Sequence, residues 1–445
     1  MLGVWSGVGL TMSDMVGAGV LTTAGFMALD LSPRLILLEW FVGGLVALSG
    51  AVAYAALVRL VPRSGGEYRY LSDLLHPVVG YIAGWASLLV GFSVPVALAA
   101  LAAGAYGKTI FPSLDARFIG AGLIVTITAS HTGGLRTSRW TQDALALVKG
   151  VLIAVFIAIG IVAGTNTLPQ APVIESSAGF PVEPFFTSLI FVSFCYSGWN
   201  AATYAAGEFQ HPRRDVPRAM LLGCSAVIVL YLLVNWVFVT NLDTSDMTGW
   251  ISGDTDRITL AHLVMRNLLG ESAATFMSAV VVVALASAIS AMMLVGPRVY
   301  AAMADDRFLP PIFATKSGAP PRGSVLLQGA LACALVFMSE FRELLNNVGS
   351  ILAVVSAAAV LSLYRRSRWT QDTRPTVWAL CGAAVYAMMS AWMVYFTMKS
   401  SPKLPLLGLT VPTLALWMAA IVAAALTAFG VTRILRSRAG ASTGA

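Results

Sequence analysis

Long apolar stretches recur along the whole chain, and short segments rich in charged residues, proline or glycine separate them. A helix needs about 20 mainly apolar residues to cross the hydrocarbon core of a bilayer. By this criterion the pattern predicts an all-α polytopic membrane protein of about 12 transmembrane helices. The eighth span is long enough to continue beyond the membrane, and no soluble segment interrupts the series, so residues 1–445 are expected to form a single membrane domain. The predicted spans are 2–28, 34–60, 78–107, 117–131, 142–164, 184–208, 217–240, 260–297, 324–339, 343–364, 375–398 and 407–432.

Composition agrees with this pattern. Of the 445 residues, 58% are hydrophobic and only 11% are charged, whereas a soluble globular protein carries about 25% charged residues. Most of the exterior must therefore face the lipid bilayer. The net charge of +7 does not predict a nucleic-acid partner, because membrane proteins collect basic residues in their cytoplasmic loops. The four cysteines and four histidines are dispersed, so neither a metal site nor a cofactor is expected.

The basic residues predict the orientation of the chain. If the amino terminus is cytoplasmic, 19 of the 28 Lys and Arg residues fall in inside segments and seven in outside segments. Such an excess marks the cytoplasmic side. We therefore expect both termini in the cytoplasm and the protein in the bacterial cytoplasmic (inner) membrane. The first apolar stretch is too long for a cleavable signal peptide, and the chain enters it at Met1, so the position of the true start stays open.

The first span contains Gly17, Ala18 and Gly19 in its middle. Two glycines so close together weaken a helix and let another backbone or a ligand approach closely. Tight packing against a neighbouring helix explains this motif equally well. The motif alone therefore leaves both interpretations open.

The sixth span contains a second weak point, in the segment Phe194-Cys195-Tyr196-Ser197-Gly198. Interrupted helices at corresponding places in two halves of a transporter are the best sequence indication of its binding site. A broken helix exposes amide hydrogens at one new end, which attract a carboxylate, and carbonyl groups at the other, which accept from an ammonium. The pair of breaks therefore predicts a site for a zwitterion.

Ionisable residues also fall within the predicted spans. Lys149 lies near the start of span five, and Asp14 lies one turn before Gly17. A charge inside a membrane is costly, so both are candidates for function. Two alternatives remain: Lys149 could extend its ammonium to the nearby surface, and Asp14 could line a pore or pair with a cation. Glu39, near the outer end of span two, is expected at the membrane interface.

Motifs of ATP-binding and zinc-protease sites are absent from the chain. It contains no Walker A or HExxH pattern. We therefore do not expect an enzyme, and ATP-driven pumping by this chain is not expected either.

Four motifs, in order and spread over nearly the whole chain, resemble the amino acid–polyamine–organocation permeases. Their residues are Gly17-Ala18-Gly19-Val20-Leu21; Val61-Pro62-Arg63-Ser64-Gly65-Gly66-Glu67-Tyr68 with Gly84-Trp85; Tyr196-Ser197-Gly198-Trp199-Asn200 with His211-Pro212-Arg213; and Pro297-Arg298 with Arg307-Phe308-Leu309-Pro310. The resemblance implies a LeuT-like fold of two inverted five-helix repeats with helices 1 and 6 broken. The repeats would cover about 1–165 and about 184–364, followed by two additional helices over about 375–435.

The resemblance also implies roles for individual residues. The segment Gly17–Gly19 would bind the carboxylate of the substrate, and the break in helix 6 would hold its amino group through the carbonyls of Phe194, Cys195 and Ser197. Phe194 matches an aromatic gate. Lys149 matches a helix-5 lysine of sodium-independent members, which stands where coupled relatives bind sodium. Asp14 departs from the family pattern, which usually has Thr, Asn or Ser there, and Gly207-Glu208 replaces a common Glu-Glu pair.

These observations predict a secondary active amino-acid transporter that works by alternating access, without sodium, by exchange or proton symport. Lys149 and Asp14 are the candidate coupling residues. The small or aromatic pocket candidates, among them Cys195, Tyr196, Ser197 and two serines of span eight (Ser287 and Ser290), favour neutral amino acids. A polyamine or amine carrier is the alternative, for which Asp14 would have to face the cavity. A membrane sensor or subunit without transport activity is a further alternative, and the oligomeric state is open.

Overall fold

A computed structural model of the protein describes residues 2–28, 30–133, 135–168, 180–242, 258–314, 321–406 and 409–442. Two segments between predicted spans, 165–183 and 241–257, are expected outside the membrane, and most of each lies outside the described ranges. Arg257 and Lys316, which were counted as an outside and an inside basic residue, also lie outside these ranges. The described part is almost entirely helical, apart from one two-stranded antiparallel hairpin. An all-helical chain satisfies every backbone polar group within each segment, which the hydrocarbon core of a membrane requires.

The helices follow the predicted spans closely. In chain order they are α1 Val4–Met15, α2 Ala18–Met27, α3 Pro33–Leu60, α4 Gly66–Leu74, α5 Pro77–Ala86, a π-helical segment Ser87–Phe92, α6 Ser93–Ile110, α7 Ala116–Gly133, α8 Leu135–Ala163, α9 Val182–Tyr196, α10 Ala201–Tyr204, α11 Pro212–Asn241, α12 Leu260–Leu269, α13 Glu271–Asp305, α14 Arg322–Met338, α15 Phe341–Leu361, α16 Val377–Ser400, the strands β1 Lys403–Leu406 and β2 Leu409–Pro412, and α17 Thr413–Ser442.

Within the described residues, eight helical segments have the length and apolar composition to cross a membrane, and three shorter apolar helices accompany them. This confirms a helical membrane protein, and the count of twelve spans stays a prediction. The expected single helix over 260–297 is wrong. Gly270 has φ +86° and separates α12 from α13, because this left-handed conformation ends a helix and suits glycine.

The interrupted helices lie at the centre of the protein. The helix α11 packs against both α1 and α3, α9 packs against α2 and α3, and α6 packs against α13. In the most apolar stretch of Pro77–Ile110, 83% of the residues are buried, compared with 28% in Val377–Ser400 and 17% in Thr413–Gly430. The two C-terminal helices therefore lie at the periphery, and the breaks are enclosed by the others.

Three polar residues of the predicted spans are more enclosed by protein than the sequence indicated. The Glu39 side chain is fully buried between α3 and α9, where it accepts a hydrogen bond from the Ser188 hydroxyl, and its position at the membrane interface stays a prediction. Ser287 and Ser290 are buried in α13 but do not line the central cavities, and Ser290 instead contacts His131 on α7. The environment of each side chain depends on which face of its helix packs against a neighbouring helix. A hydropathy pattern does not predict which face that is.

Candidate functional site

The first helix is interrupted where the glycine motif predicted. The helix α1 ends at Met15 and α2 begins at Ala18, with Val16 and Gly17 in non-helical conformations between them. No side chain caps the start of α2. Its first amide groups, at the positive end of the helix dipole, therefore have no side-chain acceptor, and Gly17, Ala18 and Gly19 line a small cavity there.

The sixth helix is interrupted in the same part of the molecule. The helix α9 ends at Tyr196 and α10 begins at Ala201, and Gly198 has φ +99° in the intervening segment. A residue with a side chain is strained in that conformation, so glycine is suited to this turn. The amide of Ser197 donates to the carbonyl oxygen of Phe194 at 2.9 Å, which closes the last turn of α9.

The two interruptions are in direct contact. A Cβ atom placed on Gly19 would lie 2.5 Å from the Cys195 sulfur, and one placed on Gly198 would lie 2.7 Å from Asp14 Oδ2 and 3.0 Å from the backbone nitrogen of Met15. Glycine at both positions is therefore needed for the breaks to approach each other. The close packing that the glycine motif predicted is therefore present, and a small cavity lies beside it, whereas the role of this segment in substrate binding stays a prediction.

Lys149 joins α8 to the break in the first helix. Its ammonium donates to the carbonyl oxygens of Ser13 at 2.8 Å and Val16 at 2.7 Å, and only 3% of the residue is exposed. These carbonyls belong to the end of α1, where the negative end of the helix dipole favours a cation. The ammonium therefore does not extend to the membrane surface, and the alternative role considered for Lys149 is excluded.

Asp14 faces the cavity. Its side chain is buried, it lines both the small cavity and a larger neighbouring one, and its Oδ1 atom has no hydrogen-bond partner among the described residues. A buried carboxylate oxygen without a partner is unfavourable. The position therefore suits a group that binds a proton or a cation arriving from the cavity.

Tyr231 was not predicted from the sequence, yet it connects the two breaks. Its hydroxyl lies 2.5 Å from the carbonyl oxygen of Met15 and 3.0 Å from that of Cys195, and its side chain is fully buried in α11. A hydroxyl has a single proton to donate, so the two carbonyls compete for it. A tyrosine in the middle of an apolar span is a weak sequence signal, and only the contact reveals this role.

The larger space, which we call the central cavity, is lined among others by Asp14, Phe194, Ser197, Gly198 and Met292. Phe194 also borders the small cavity, so it is one of the residues that the two cavities share. The π-helical segment Ser87–Phe92 contributes to the wall. Such segments are frequent at functional sites, and none was expected from the sequence.

The remaining predicted residues divide into two groups. Cys195 borders the small cavity, and its sulfur lies 3.2 Å from the Thr23 hydroxyl. The Tyr196 side chain points elsewhere: its hydroxyl donates to the Trp40 carbonyl at 3.0 Å, and its ring packs beside that of Tyr231. The substrate-binding roles of both stay predictions, and for Tyr196 the structure leaves only the backbone near the break.

Ion pairs hold the end of the sixth helix beyond α10. Glu208 pairs with Arg298 of α13, with Nε and Oε1 2.7 Å apart, and Arg69 of α4 pairs with Asp306. These contacts connect α4, the end of helix 6 and α13 on one side of the central cavity.

Comparison with known proteins agrees with this arrangement. A family model described as "Amino acid permease" matches residues 2–433. The b(0,+)-type amino acid transporter 1 of Mus musculus is 26% identical over 258 residues, which are 55% of this chain and 52% of that protein. The large neutral amino acids transporter small subunit 2 is 24% identical over 428 residues in both Mus musculus and Homo sapiens, which are 92% of this chain and 78% of the relative.

The first of these alignments thus spans about half the length of the relative, and the second about three quarters. The family model, in contrast, covers nearly the whole chain, including both interrupted helices and the long apolar helices around them. The chain is an integral membrane protein that belongs to the amino acid permease family.

Proposed function

We propose that this protein is a secondary active transporter that moves amino acids across the membrane by alternating access, without sodium, by exchange or proton symport. The observation that carries the proposal is the meeting of two interrupted helices at one cavity. Broken helices offer a zwitterion both kinds of partner without charged side chains exposed to lipid.

The binding mode follows from the ends of the broken helices. The free amides at Gly17, Ala18 and Gly19 would receive the substrate carboxylate at the start of α2. The substrate ammonium would donate to carbonyls of the Phe194–Gly198 segment. The Cys195 carbonyl shares the single Tyr231 proton with Met15, so it retains capacity to accept a further hydrogen bond.

Phe194 is proposed as the gate, since this aromatic residue borders both cavities. Its movement would open or close the passage between them. A second position of the Phe194 ring would belong to another state of the transport cycle, in which the cavity opens to the other side of the membrane.

Lys149 and Asp14 are proposed as the coupling residues. The Lys149 ammonium supplies a positive charge at the carbonyls of the helix-1 break, the position at which a sodium ion would otherwise be needed. Asp14, one residue from the Ser13 carbonyl that Lys149 binds, faces the cavity with one unpartnered oxygen. Protonation of Asp14 together with substrate binding would couple the two fluxes.

Neutral amino acids are the proposed principal substrates. The cavity near the breaks is lined largely by small or apolar side chains, among them Ala99, Phe194, Ala288 and Met292. The printed names of the relatives, an amino acid transporter and a large neutral amino acids transporter subunit, support the same class.

We also propose that the protein lies in the bacterial cytoplasmic (inner) membrane with both termini in the cytoplasm, as the distribution of basic residues predicts. Two repeats, about 1–165 and about 184–364, with two peripheral helices over about 375–435, would build the single transport domain. The low burial of α16 and α17 supports their separation from the repeats.

Uptake by purified protein in proteoliposomes tests the proposal. Saturable uptake of a neutral amino acid is expected, driven by an internal amino acid or by an inward proton gradient and unaffected by replacing sodium with choline. The absence of saturable flux for every amino acid, under both driving forces, would contradict the proposal.

A polyamine or amine carrier is the second candidate, and one observation favours it. An amine without a carboxylate needs an acidic partner, and Asp14 faces the cavity as that alternative requires. Competition decides between the two. Inhibition of ligand uptake by putrescine or spermidine, but not by amino acids, would support the amine carrier. Inhibition by amino acids, but not by putrescine or spermidine, would support the amino-acid transporter.

A further inference from the structure

A second acidic residue, Glu67, lines the central cavity away from the interruption in helix 1. It lies in the first turn of α4, only 2% of it is exposed, and neither composition nor span prediction drew attention to it. Its Oε1 atom accepts hydrogen bonds from the Tyr54 hydroxyl at 2.7 Å and from Asn200 Nδ2 at 2.5 Å. Its Oε2 atom is buried and has no hydrogen-bond partner among the described residues.

The basic side chains of α4 and of the helix-1 break are engaged elsewhere. Arg69, two positions along α4, pairs with Asp306, and the Lys149 ammonium is held by the carbonyls of Ser13 and Val16. Placing a carboxylate in a dry interior is costly unless a positive charge or several hydrogen bonds compensate it. The open side of the Glu67 carboxylate therefore offers a place for a cation that enters through the cavity.

Aromatic rings indicate what kind of cation fits. Phe92, Trp199, Tyr204 and Tyr386 line the same cavity as Glu67. The rings form two pairs, with centroids 5.3 Å apart for Phe92 and Tyr204 and 5.8 Å apart for Trp199 and Tyr386. Ammonium and guanidinium groups bind well over aromatic faces, and a proton needs no such surface. An acid among aromatic rings therefore favours an organic cation.

Charge balance points the same way. During exchange, which needs no proton on Asp14, the ionised forms of Asp14, Glu67 and the adjacent Lys149 leave one net negative charge at the cavity, and a zwitterion does not alter that sum. A substrate with one net positive charge neutralises it. The carboxylate and α-ammonium of such a molecule would bind at the two breaks, and its terminal cationic group would reach toward Glu67.

We propose that Glu67, supported by Asn200 and the surrounding aromatic rings, forms a second subsite that binds the terminal ammonium or guanidinium group of a cationic amino acid. The permease therefore accepts cationic amino acids in addition to neutral ones. This inference rests on the proposed transport function and assigns a specificity-determining residue to the same cavity.

Arginine and citrulline form a matched pair for the test, because the two molecules have nearly the same shape and only arginine carries the extra charge. Initial rates of uptake into proteoliposomes, with the membrane potential clamped at zero, give kcat/KM for each. A charge-assisted hydrogen bond should favour arginine by about tenfold or more. In Glu67→Gln this preference should fall to about threefold or less, since glutamine keeps an acceptor for Tyr54 and Asn200 but lacks the charge.

The measured quantity is the ratio of kcat/KM for arginine to kcat/KM for citrulline within one variant. A general loss of activity or of folded protein lowers both values equally and leaves this ratio unchanged. Asp73→Asn is the matched control: Asp73 lies on the same helix, and its carboxylate pairs with the exposed Arg63, so the preference for arginine should stay at the wild-type value. Leucine uptake by the wild type reports the proposed function separately.

Three results would overturn the inference: a wild-type ratio near one, an unchanged ratio in Glu67→Gln, or a ratio that Asp14→Asn abolishes while Glu67→Gln does not. If Glu67 binds a proton instead, Glu67→Gln will alter the pH dependence of citrulline uptake and leave the ratio unchanged, which also contradicts the proposal. Failure of leucine, citrulline and arginine uptake together would contradict the transport function itself, whereas leucine uptake without a preference for arginine would contradict only the second subsite.

Discussion

The ammonium nitrogen of Lys149 lies 2.7 Å from the carbonyl oxygen of Val16, inside the interruption of the first helix. Because α1 has already ended at Met15, this carbonyl has no partner within its own helix. A charged side chain from α8 thus stabilises the broken backbone directly. Several expectations follow from this contact and from the others at the two breaks.

Replacing Lys149 with alanine should reduce uptake by about tenfold or more, because each buried carbonyl left without a donor costs about 1–3 kcal/mol. The two affected carbonyls hold the end of α1 in place. Radiolabelled uptake in proteoliposomes, normalised to the amount of folded protein from size-exclusion chromatography, measures the effect. Lys108→Ala, at the exposed end of α6, is the control and should transport like the wild type. Wild-type uptake by Lys149→Ala would refute the role of Lys149.

Tyr231→Phe removes one hydroxyl that contacts a carbonyl in each break. The ring and its packing remain, so the protein should fold, whereas the relative position of the breaks should loosen. We expect substrate affinity to fall by about tenfold, the equivalent of about 1.4 kcal/mol. Isothermal titration or a thermal-shift series with a transported amino acid measures this change. The exposed Tyr395 offers a control, and equal affinities in Tyr231→Phe and Tyr395→Phe would show that the bridging hydroxyl is dispensable.

Gly198→Ala should damage both stability and transport. The alanine would have to adopt φ +99°, which costs about 1–2 kcal/mol, and its Cβ would lie 2.7 Å from Asp14 Oδ2. We expect a lower Tm in detergent and loss of most uptake. Gly122→Ala in α7 is the matched control, since a Cβ there meets no atom within 4 Å and alanine favours a helix. A Gly198→Ala variant as stable and active as Gly122→Ala would contradict the described turn.

Asp14→Asn tests the coupling proposal. Asparagine has nearly the same size but cannot exchange a proton, so uptake by this variant should no longer increase with an inward proton gradient. Exchange of internal for external amino acid should continue more strongly than net uptake, because exchange does not require proton release. Net uptake and exchange are separated by measuring the flux with and without an inward proton gradient, at equal internal and external concentrations of the amino acid. Retained stimulation by the gradient would exclude Asp14 as the proton-binding group.

Much of the arrangement was accessible from local sequence signals. The breaks at Gly17 and Gly198 were predicted because glycine weakens a helix wherever it occurs, and this property depends only on the local sequence. The helical spans were predicted for a related reason: the bilayer demands a long apolar segment for each crossing. The unexpected break at Gly270 lies outside this rule, since hydropathy does not register the φ of a single residue.

The side-chain partners were not accessible in the same way. Tyr231 reaches Met15 across 216 positions of sequence, and Glu67 reaches Asn200 across 133. Both tyrosine and glutamate occur in many environments, so neither residue signals a contact by itself. The same holds for Glu39, whose burial against Ser188 was not indicated by its place near the end of a span.

The sequence by itself determined that this chain enters a membrane as a series of helices and where two of them break, because both properties arise from apolar length and local backbone freedom. Only the tertiary structure decided that the two breaks touch, that Lys149 and Tyr231 bind their free carbonyls, and that Asp14 and Glu67 face one cavity. Those contacts depend on helix packing, which brings together residues far apart in the chain, and the environment of each charged group is set by that packing.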